Sequence, residues 1–449
     1  MRNNIALQNR ALALIEHLRH SLNDPGFCRR HRRQAADFTR QCVLTFPVVM
    51  LLLLQKSLKS LQTHLHEFLG QLAGSRVAPR LSGGALTHAR AKLRASAFVE
   101  LNGAVLATVY EGEHAPLAQG WQGHRLLSVD SSLLRLPGSA VLGDVFGWVQ
   151  CANHYGLLER YPQARVSVLY DVLNQVALDA RLSPWREAET ELAHQHLAMV
   201  QPGDVLLNDR GYTGYRWLVA ARAAGAHFVS RCSRGSFAVA RELFARDEAG
   251  RSVEVRHPAP KPVRAECQQR GWPLQLTVRL ITVRLPSGEL EVLATSLLDP
   301  VKYPTQVFGP VYGQRWGQET YYARLKGRLD LEHGSGQTVE AAEQDFHATV
   351  LLSNVESVLV GPAQEQVAAR TAGREQPAQV NRAVSLHAIK HRLIDLLTSR
   401  VPAAVVLAEL SQWFQANPVS RRRGRLVPRR KRSSPRSYHY QRRVRKYVF

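Results

Sequence analysis

Apolar and polar residues change their rhythm several times along the chain, and each change predicts a different kind of element. Near the start, LTFPVVMLLLLQKSLKSLQTHLHEFL passes from an apolar stretch into an amphipathic one, and ALTHARAKLRASAFVELN repeats the helical period. Residues 1–118 are therefore expected to be helical. The middle of the chain turns to short runs: RLLSVD closing on Asp130, then ARVSVLYDVL and QVALDARL as a strand pair, and EAETELAHQHLAMV as a helix. DVLLNDRGY follows as a buried-type strand closing on Asp209, with YRWLVAARAAG as a helix and HFVSRC as a strand. This order predicts an α/β unit with an acid at two strand ends, where open sheets keep their ligand sites. An Asp at a strand end also serves as an ordinary turn former or helix cap.

Between 233 and 300 the texture is β-rich. LQLTVRLITVRLPSGELEVLATSLL alternates around Pro286-Ser287-Gly288, the pattern of a hairpin. A helix is expected over Val311 to Lys326 and a second over Val339 to Leu359. After them come a Gly/Pro/Ala/Gln-rich linker from Gly361 to Gln379 and a short helical pair ending near Phe414.

The helix VYGQRWGQETYYARLK carries candidate chemistry. Tyr312, Arg315, Glu319 and Lys326 stand at offsets of three, seven and fourteen residues, which places them within roughly 60° of one another on a helix. A carboxylate there can hold a hard metal ion, and the cations and the phenol can hold phosphate oxygens. Polar residues at this spacing also describe a plain solvated face, so other elements must supply further metal ligands. Asp330 falls on nearly the same face, but about 16 Å further along the helix, too far to share a metal with Glu319.

Charge changes the picture more than composition does. With 59 Lys and Arg against 36 Asp and Glu, the chain carries +23, which suits a polyanionic partner, nucleic acid first. Residues 1–118 hold 15 of the cations against 7 acids, among them Arg29, Arg30, Arg32, Arg33, Arg40, Arg90, Lys92 and Arg94. A basic helical domain of this kind can set a helix against duplex DNA, or be a solvated surface. The end of the chain, Arg421 to Lys446, has 13 Lys and Arg interleaved with Tyr438 and Tyr440, and Tyr447 follows. That composition predicts a disordered electrostatic arm. The apolar run Val43 to Leu54 is 12 residues long and contains Pro47, too short for the ~20 residues that span a bilayer. Five scattered cysteines without a CxxC pair fit a reducing compartment better than a zinc site or a disulfide frame.

Asp130, Asp209 and Glu319 thus come from two strand ends and one helix of a single α/β unit. Three converging carboxylates can hold two Mg²⁺ ions about 4 Å apart, the arrangement that drives in-line displacement at phosphorus. The chain resembles the DDE transposases of bacterial insertion sequences, in the branch with the signature Y-(2)-R-(3)-E-(6)-K (the insertion sequence four family). Tyr312, Arg315, Glu319 and Lys326 fit that spacing without adjustment. LLSVDSSLLRLP resembles the first acidic block of the family, NDRGYTGYRWL the second, and LEHGSGQTVEAAEQDFHATVLLSNVESVL the helix after the signature. His333 stands where the family pattern leads one to expect Asn.

The resemblance covers roughly residues 35–360. It implies an α/β, RNase H-like catalytic domain interrupted by a β-rich insertion, behind an N-terminal helical DNA-binding domain. On that reading the chain divides into a helical DNA-binding domain (1–118), the catalytic core in two parts (119–232 and 301–360) around the insertion (233–300), a linker with C-terminal helices (361–415) and the basic tail (416–449). It also implies catalytic and metal-holding roles for Asp130, Asp209 and Glu319, with two Mg²⁺ ions for which Mn²⁺ can substitute. Tyr312, Arg315 and Lys326 are expected to grip transposon-end phosphates, and Arg40, Arg90 and Lys92 to contact DNA from the N-terminal domain. The implied partners are the terminal inverted repeats, the target DNA and a second copy of the chain in the bacterial cytoplasm at the nucleoid, with no membrane. In this branch Trp272 or Trp316 is a candidate to stack on an extruded base. Two other readings share parts of this pattern: a decayed copy that binds DNA without cutting it, and a nuclease acting on RNA.

Overall fold

The computed structural model of the chain describes residues 2–40, 42–74, 79–152, 158–285 and 287–420. Helices come first: α1 (Arg2–Asn23), α2 (Pro25–His31), α3 (Phe46–Gln55), α4 (Leu61–Ala73), α5 (Gly83–Arg90) and α6 (Ser96–Tyr110). Their starts are written locally. Asp24, Ser60 and Ser82 each accept a backbone N–H from the first turn of the helix that follows. The apolar run FPVVMLLLLQ forms α3, which is buried on nearly every side.

A mixed sheet follows, built from β1 (Leu126–Arg135), β2 (Trp148–Ala152), β3 (Leu158–Asp171), β4 (Val176–Pro184), β5 (Val205–Asn208), β6 (His227–Arg231), β7 (Ser252–Pro258), β8 (Gln275–Arg284) and β9 (Leu290–Thr295). The strands run in the order β4-β3-β1-β5-β6-β9-β8-β7, with β2 paired to the outer half of β3. β1 is antiparallel to β3 and parallel to β5, and β5 is parallel to β6. Between the strands lie α7 (Ala140–Phe146), α8 (Glu189–His196), α9 (Tyr215–Ala223), α10 (Ala238–Arg246) and α11 (Lys261–Arg270).

Alternation along the central strands separates two cores. Leu126, Val168, Tyr170, Val205, Leu207 and Val229 face one side. Leu127, Val129, Leu169, Leu206 and Phe228 face the other, against α8 to α11. β5 is buried on both faces, as its unbroken apolar run requires. The mixed α/β class expected from the sequence is the one observed. Segment 233–300 does form the expected strands, but they extend the edge of the main sheet through β9 and β6, and α10 and α11 lie among them. Pro286 of the hairpin turn lies outside the described residues.

The remaining elements are α12 (Phe308–Gly313), α13 (Trp316–Gly327), α14 (Val339–Thr371), β10 (Ala378–Val380), α15 (Arg382–His391), α16 (Leu393–Leu397), α17 (Ala403–Ala416) and β11 (Pro418–Ser420). Two expectations change here. The single helix over 311–326 is divided at Gln314 and Arg315, where i→i−3 bonds such as Arg315 N to Tyr312 O tighten the turn. The linker expected from Gly361 is helix as far as Thr371, and α14 runs straight through Pro362. Proline there removes a backbone bond, but buried Ala363 and Val367 and the bond from Asn4 Nδ2 to Pro362 O (2.7 Å) hold the segment against α1.

α14 is buried along most of its length and is flanked by α1, α6, α17 and β4. Helices α1 to α6 share one continuous core with α12 to α17 and one face of the sheet. Among the described residues no helix is long and apolar enough to cross a membrane. The tail from 421 onward, with its cations and tyrosines, lies outside the described residues.

Candidate active site

Helix α13 lies alongside β1, and the spacing of its side chains matches that strand. Four residues of helix rise about 6.0 Å and two residues of strand about 6.6 Å. Tyr322 therefore donates its hydroxyl to the carbonyl of Asp130 (2.8 Å), and Lys326, one turn on, donates Nζ to Ser132 Oγ (2.8 Å) and Leu133 O (2.6 Å). One turn back, Gln318 Nε2 reaches the carbonyl of Val168, the residue paired with Asp130 on β3. Tyr321 stacks on Tyr170 with ring centroids 4.3 Å apart.

The strand register brings two of the acids level. β1 and β5 pair Leu126 with Val205, Leu127 with Leu206 and Ser128 with Leu207. Carried two residues further, the same register sets Asp130 beside Asp209, on strands about 4.8 Å apart with side chains on the same face. Asp130 is not at the end of its strand, as the sequence suggested. β1 continues to Arg135 because Ser131 to Arg135 pair with Gln163 to Ser167 of β3. β5 does stop at Asn208, so Asp130 stands where its neighbour ends.

Burial pushes the Asp130 carboxyl up to about 6, with Glu189 and Asp209 adding to the rise against the N–H of Ser131 and the charge of Arg315. Asp209 Oδ1 is buried with no hydrogen-bond partner. Glu319 is engaged by Arg315, whose Nη2 donates to Oε1 at 2.9 Å. Burial works against the Arg315 cation, but Tyr312, Asp209 and Glu319 together hold it more firmly protonated than usual. Arg315 and Tyr312 are both buried, and the Tyr312 hydroxyl has no hydrogen-bond partner. Lys326 also makes an ion pair with Glu332 at 3.4 Å.

The donors are of the right type for a hard divalent cation: carboxylate oxygens, one of them orphaned, beside a second acid whose charge is disfavoured. They are not gathered for one, since among the described residues no three His, Cys, Asp or Glu side chains stand close enough to hold a metal ion. Asp130 and Asp209 are neighbours, and Glu319 is bonded to Arg315.

Among the expected DNA contacts, Arg40 and Lys92 are exposed. The bridge between Arg32 and Leu93 sets the two N-terminal basic stretches side by side. Arg90 is corrected: it is 4% exposed and bonded to Gln344 Oε1 (3.0 Å), Ser335 Oγ (2.6 Å), Ala341 O (3.2 Å) and Asp345 Oδ1 (3.2 Å). Its guanidinium ties α5 to α14 and faces no partner outside the chain. Asp330 is corrected too, because α13 ends at Gly327 and Asp330 lies beyond it with φ 53°. Trp316 is 60% exposed beside Arg315, whereas Trp272 is partly covered by the second core.

The sequence reading missed Tyr322 and Gln318, which fix β1 and β3 against α13, and Glu189 with its partner Arg165, which also donates to Ser131 Oγ. Tyr322 had a visible signal, since it stands three residues after Glu319 on the same helix. Glu189 had none, because only the folded sheet carries it to Asp130.

Residues 121–355 match the family model described as the transposase DDE domain. The transposase InsG for insertion sequence element IS4 of Escherichia coli (strain K12) is 25% identical over 243 residues, 52% of this chain and 52% of that protein. A putative transposase InsZ of the same organism is 27% identical over 99 residues, 22% of this chain and 32% of the relative. The chain therefore matches about half the length of the first relative and about a third of the second. Among solved structures, a piggyBac transposase synaptic complex with hairpin DNA is similar over 92% of this chain and 85% of that one, at 12% identity and a TM-score of 0.40.

Proposed function

The chain belongs to the DDE transposase family, and on that premise we propose that it binds the inverted repeats of an insertion sequence and cuts and joins DNA there. The observation that carries this reading is the β1–β5 register, which supports Asp130 standing level with Asp209, beside the bond from Tyr322 that ties β1 to α13, the helix bearing Glu319. The order β4-β3-β1-β5-β6, with β5 and β6 parallel to β1, supports an RNase H-like core in which β7 to β9 are the inserted strands.

Asp130, Asp209 and Glu319 would hold two divalent ions, Mg²⁺ or Mn²⁺ in its place, which when bound polarise the attacking oxygen and offset charge at phosphorus. Glu319 accepts from Arg315 through one oxygen, Oε1, and giving up that bond would free the whole carboxylate for a cation. The guanidinium released in that exchange is then available to phosphate oxygens as a charge-assisted donor. Tyr322 and Gln318 keep β1 and β3 in place while this happens. Lys326 is bonded further along β1, to Ser132 and Leu133, where its ammonium can pass from Leu133 O to a phosphate. The exposed Arg40 and Lys92, with Arg29, Arg33 and Arg94 near the Arg32–Leu93 bridge, form the N-terminal surface for end DNA. Trp316, exposed beside Arg315, suits a stacking role better than Trp272. Two copies would act on two paired ends, in the bacterial cytoplasm where the DNA lies.

The Arg315–Glu319 ion pair favours one second reading, a chain that binds ends without cutting them. A cleavage assay with Mg²⁺ separates the two. The substrate is DNA carrying the repeats that flank the gene, with Asp130→Ala and Glu319→Gln beside the wild type. Nicking at the repeat boundary by wild type alone is expected. Repeat-specific binding without a cut from any of the three proteins would leave the binding reading standing instead.

A further inference from the structure

A cleft of about 630 Å³ opens beyond the C-terminal end of α13, between α4 and α15. Its rim residue Arg328 is nine positions from Glu319, about 14 Å along the chain direction of α13, so the acids take no part in it. The volume lies within the range of pockets that accept a small ligand.

Two lysines meet at its floor. Lys56 is 6% exposed and donates Nζ to the carbonyl of Asp330 at 3.2 Å, while Lys390 donates Nζ to the carbonyl of Lys56 at 2.9 Å. Both ammonium groups are thus hydrogen-bonded to backbone carbonyls, with the Asp345 and Asp330 carboxylates acting on Lys56 and that of Asp330 on Lys390. Burial lowers the proton affinity of both, and Lys56 adds to the effect on Lys390, which falls to about 8. Asp330 holds its carbonyl toward Lys56 from a left-handed backbone, a conformation that costs a residue with a side chain free energy and persists where the surroundings enforce it. Of the other charges, Lys59 is engaged by Glu67 at 2.6 Å, which leaves Arg328 as the third cation at the rim. With Glu67 and Asp330 as the acids of the lining against Lys56, Lys59, Arg328 and Lys390, the cleft keeps an excess of positive charge that an anion would offset.

One wall of the cleft continues as a row of rings. His387 and His391 stack with centroids 6.4 Å apart, and His391 lies 6.2 Å from Trp413, which is 44% exposed on α17. Phosphate-seeking cations beside an exposed aromatic row are the two halves of nucleotide recognition. We propose that this cleft is a nucleoside-phosphate site: Lys56, Lys390 and Arg328 take a phosphate group, and His391 and Trp413 stack on the base. A free nucleotide and a nucleotide within a DNA strand present the same chemistry.

Photo-cross-linking distinguishes them. The full chain is irradiated with 5-iodo-dUMP alone or with a single-stranded oligonucleotide containing 5-iododeoxyuridine, and the modified peptides are mapped. Cross-links are expected in the peptides of α15 or α17, with yield lowered about ten-fold in Trp413→Ala and in Lys390→Gln, each checked for an unchanged melting temperature. Labelling by the mononucleotide assigns the cleft to a free nucleotide, and labelling by the strand alone assigns it to DNA. Cross-links confined to other peptides, or unchanged yields in both variants, overturn the proposal. Asp130→Ala is expected to cross-link like wild type whether or not the chain cleaves DNA, so the two readings fail separately.

Discussion

Arg90 gives the sharpest test of the fold, because its charge invites a DNA role and its surroundings deny it. Arg90→Ala removes a guanidinium that donates to four partners on and before α14 and leaves Asp345 buried, with both side chains 5% exposed. Breaking a buried ion pair from one side costs about 3–5 kcal/mol, and Lys56, which still faces Asp345, holds the loss to the lower end of that range. Unfolding entropy of about 2.1 cal/mol/K per residue over 449 residues makes each kcal/mol worth about 1 °C. The melting temperature should therefore fall by about 3 °C.

The loss should also depend on pH. Burial pushes the Asp345 carboxyl up, but Lys56, Arg90 and Ser335 outweigh it and hold the group below its ordinary value. A carboxylate depressed in this way adds stability at neutral pH and gives it up as pH falls through the acid range. Without Arg90 that loss should begin at a higher pH. Thermal unfolding followed by circular dichroism from pH 4 to 8, beside DNA affinity measured well below the transition, reads both effects. A melting temperature within about 1 °C of wild type together with weakened DNA binding would refute the structural role and restore Arg90 as a DNA contact.

With the Asp130 carboxyl pushed up to about 6, Mg²⁺-dependent nicking should fall as pH drops through that value, because the protonated acid cannot hold a cation; a rate flat from pH 5 to 8 would count against it. Tyr322→Phe deletes the bond to the Asp130 carbonyl and should lower stability by about 0.5–1.5 kcal/mol while reducing cleavage without altering DNA affinity, as denaturant titration and a nicking assay can show. Lys326→Ala removes one phosphate-seeking cation and should make the salt dependence of end binding shallower by about one unit of slope. An unchanged slope would confine Lys326 to its bonds with Ser132 and Leu133.

The parts of this site that the sequence revealed are those whose signal is local. A carboxylate closing an apolar run, and four side chains at helical spacing, can be seen without knowing the fold. The strand pairing of β3 with β4 and the class of the sheet follow from the same short-range rhythm. What escaped depends on distant partners. Arg90 lies in a basic stretch and reads as surface, and it is buried only because Asp345 arrives from 255 residues away. Pro362 and its glycine neighbour look like a linker until α1 is laid against them. The run after Asp130 is too polar to announce a strand, and it becomes one because β3 is long enough to pair with it.

α14 has a bearing on how the protein is made. The helix that covers α1 and α6 ends at Thr371, and contacts such as Asn4 with Pro362 join residues 358 positions apart. Synthesis at roughly 5–20 residues per second leaves the apolar faces of the first helices uncovered for about 20–70 s before their cover emerges from the ribosome. A message broken upstream of Val339 would yield helices with nothing to close over them, fit for chaperones and proteases and not for a stable fragment.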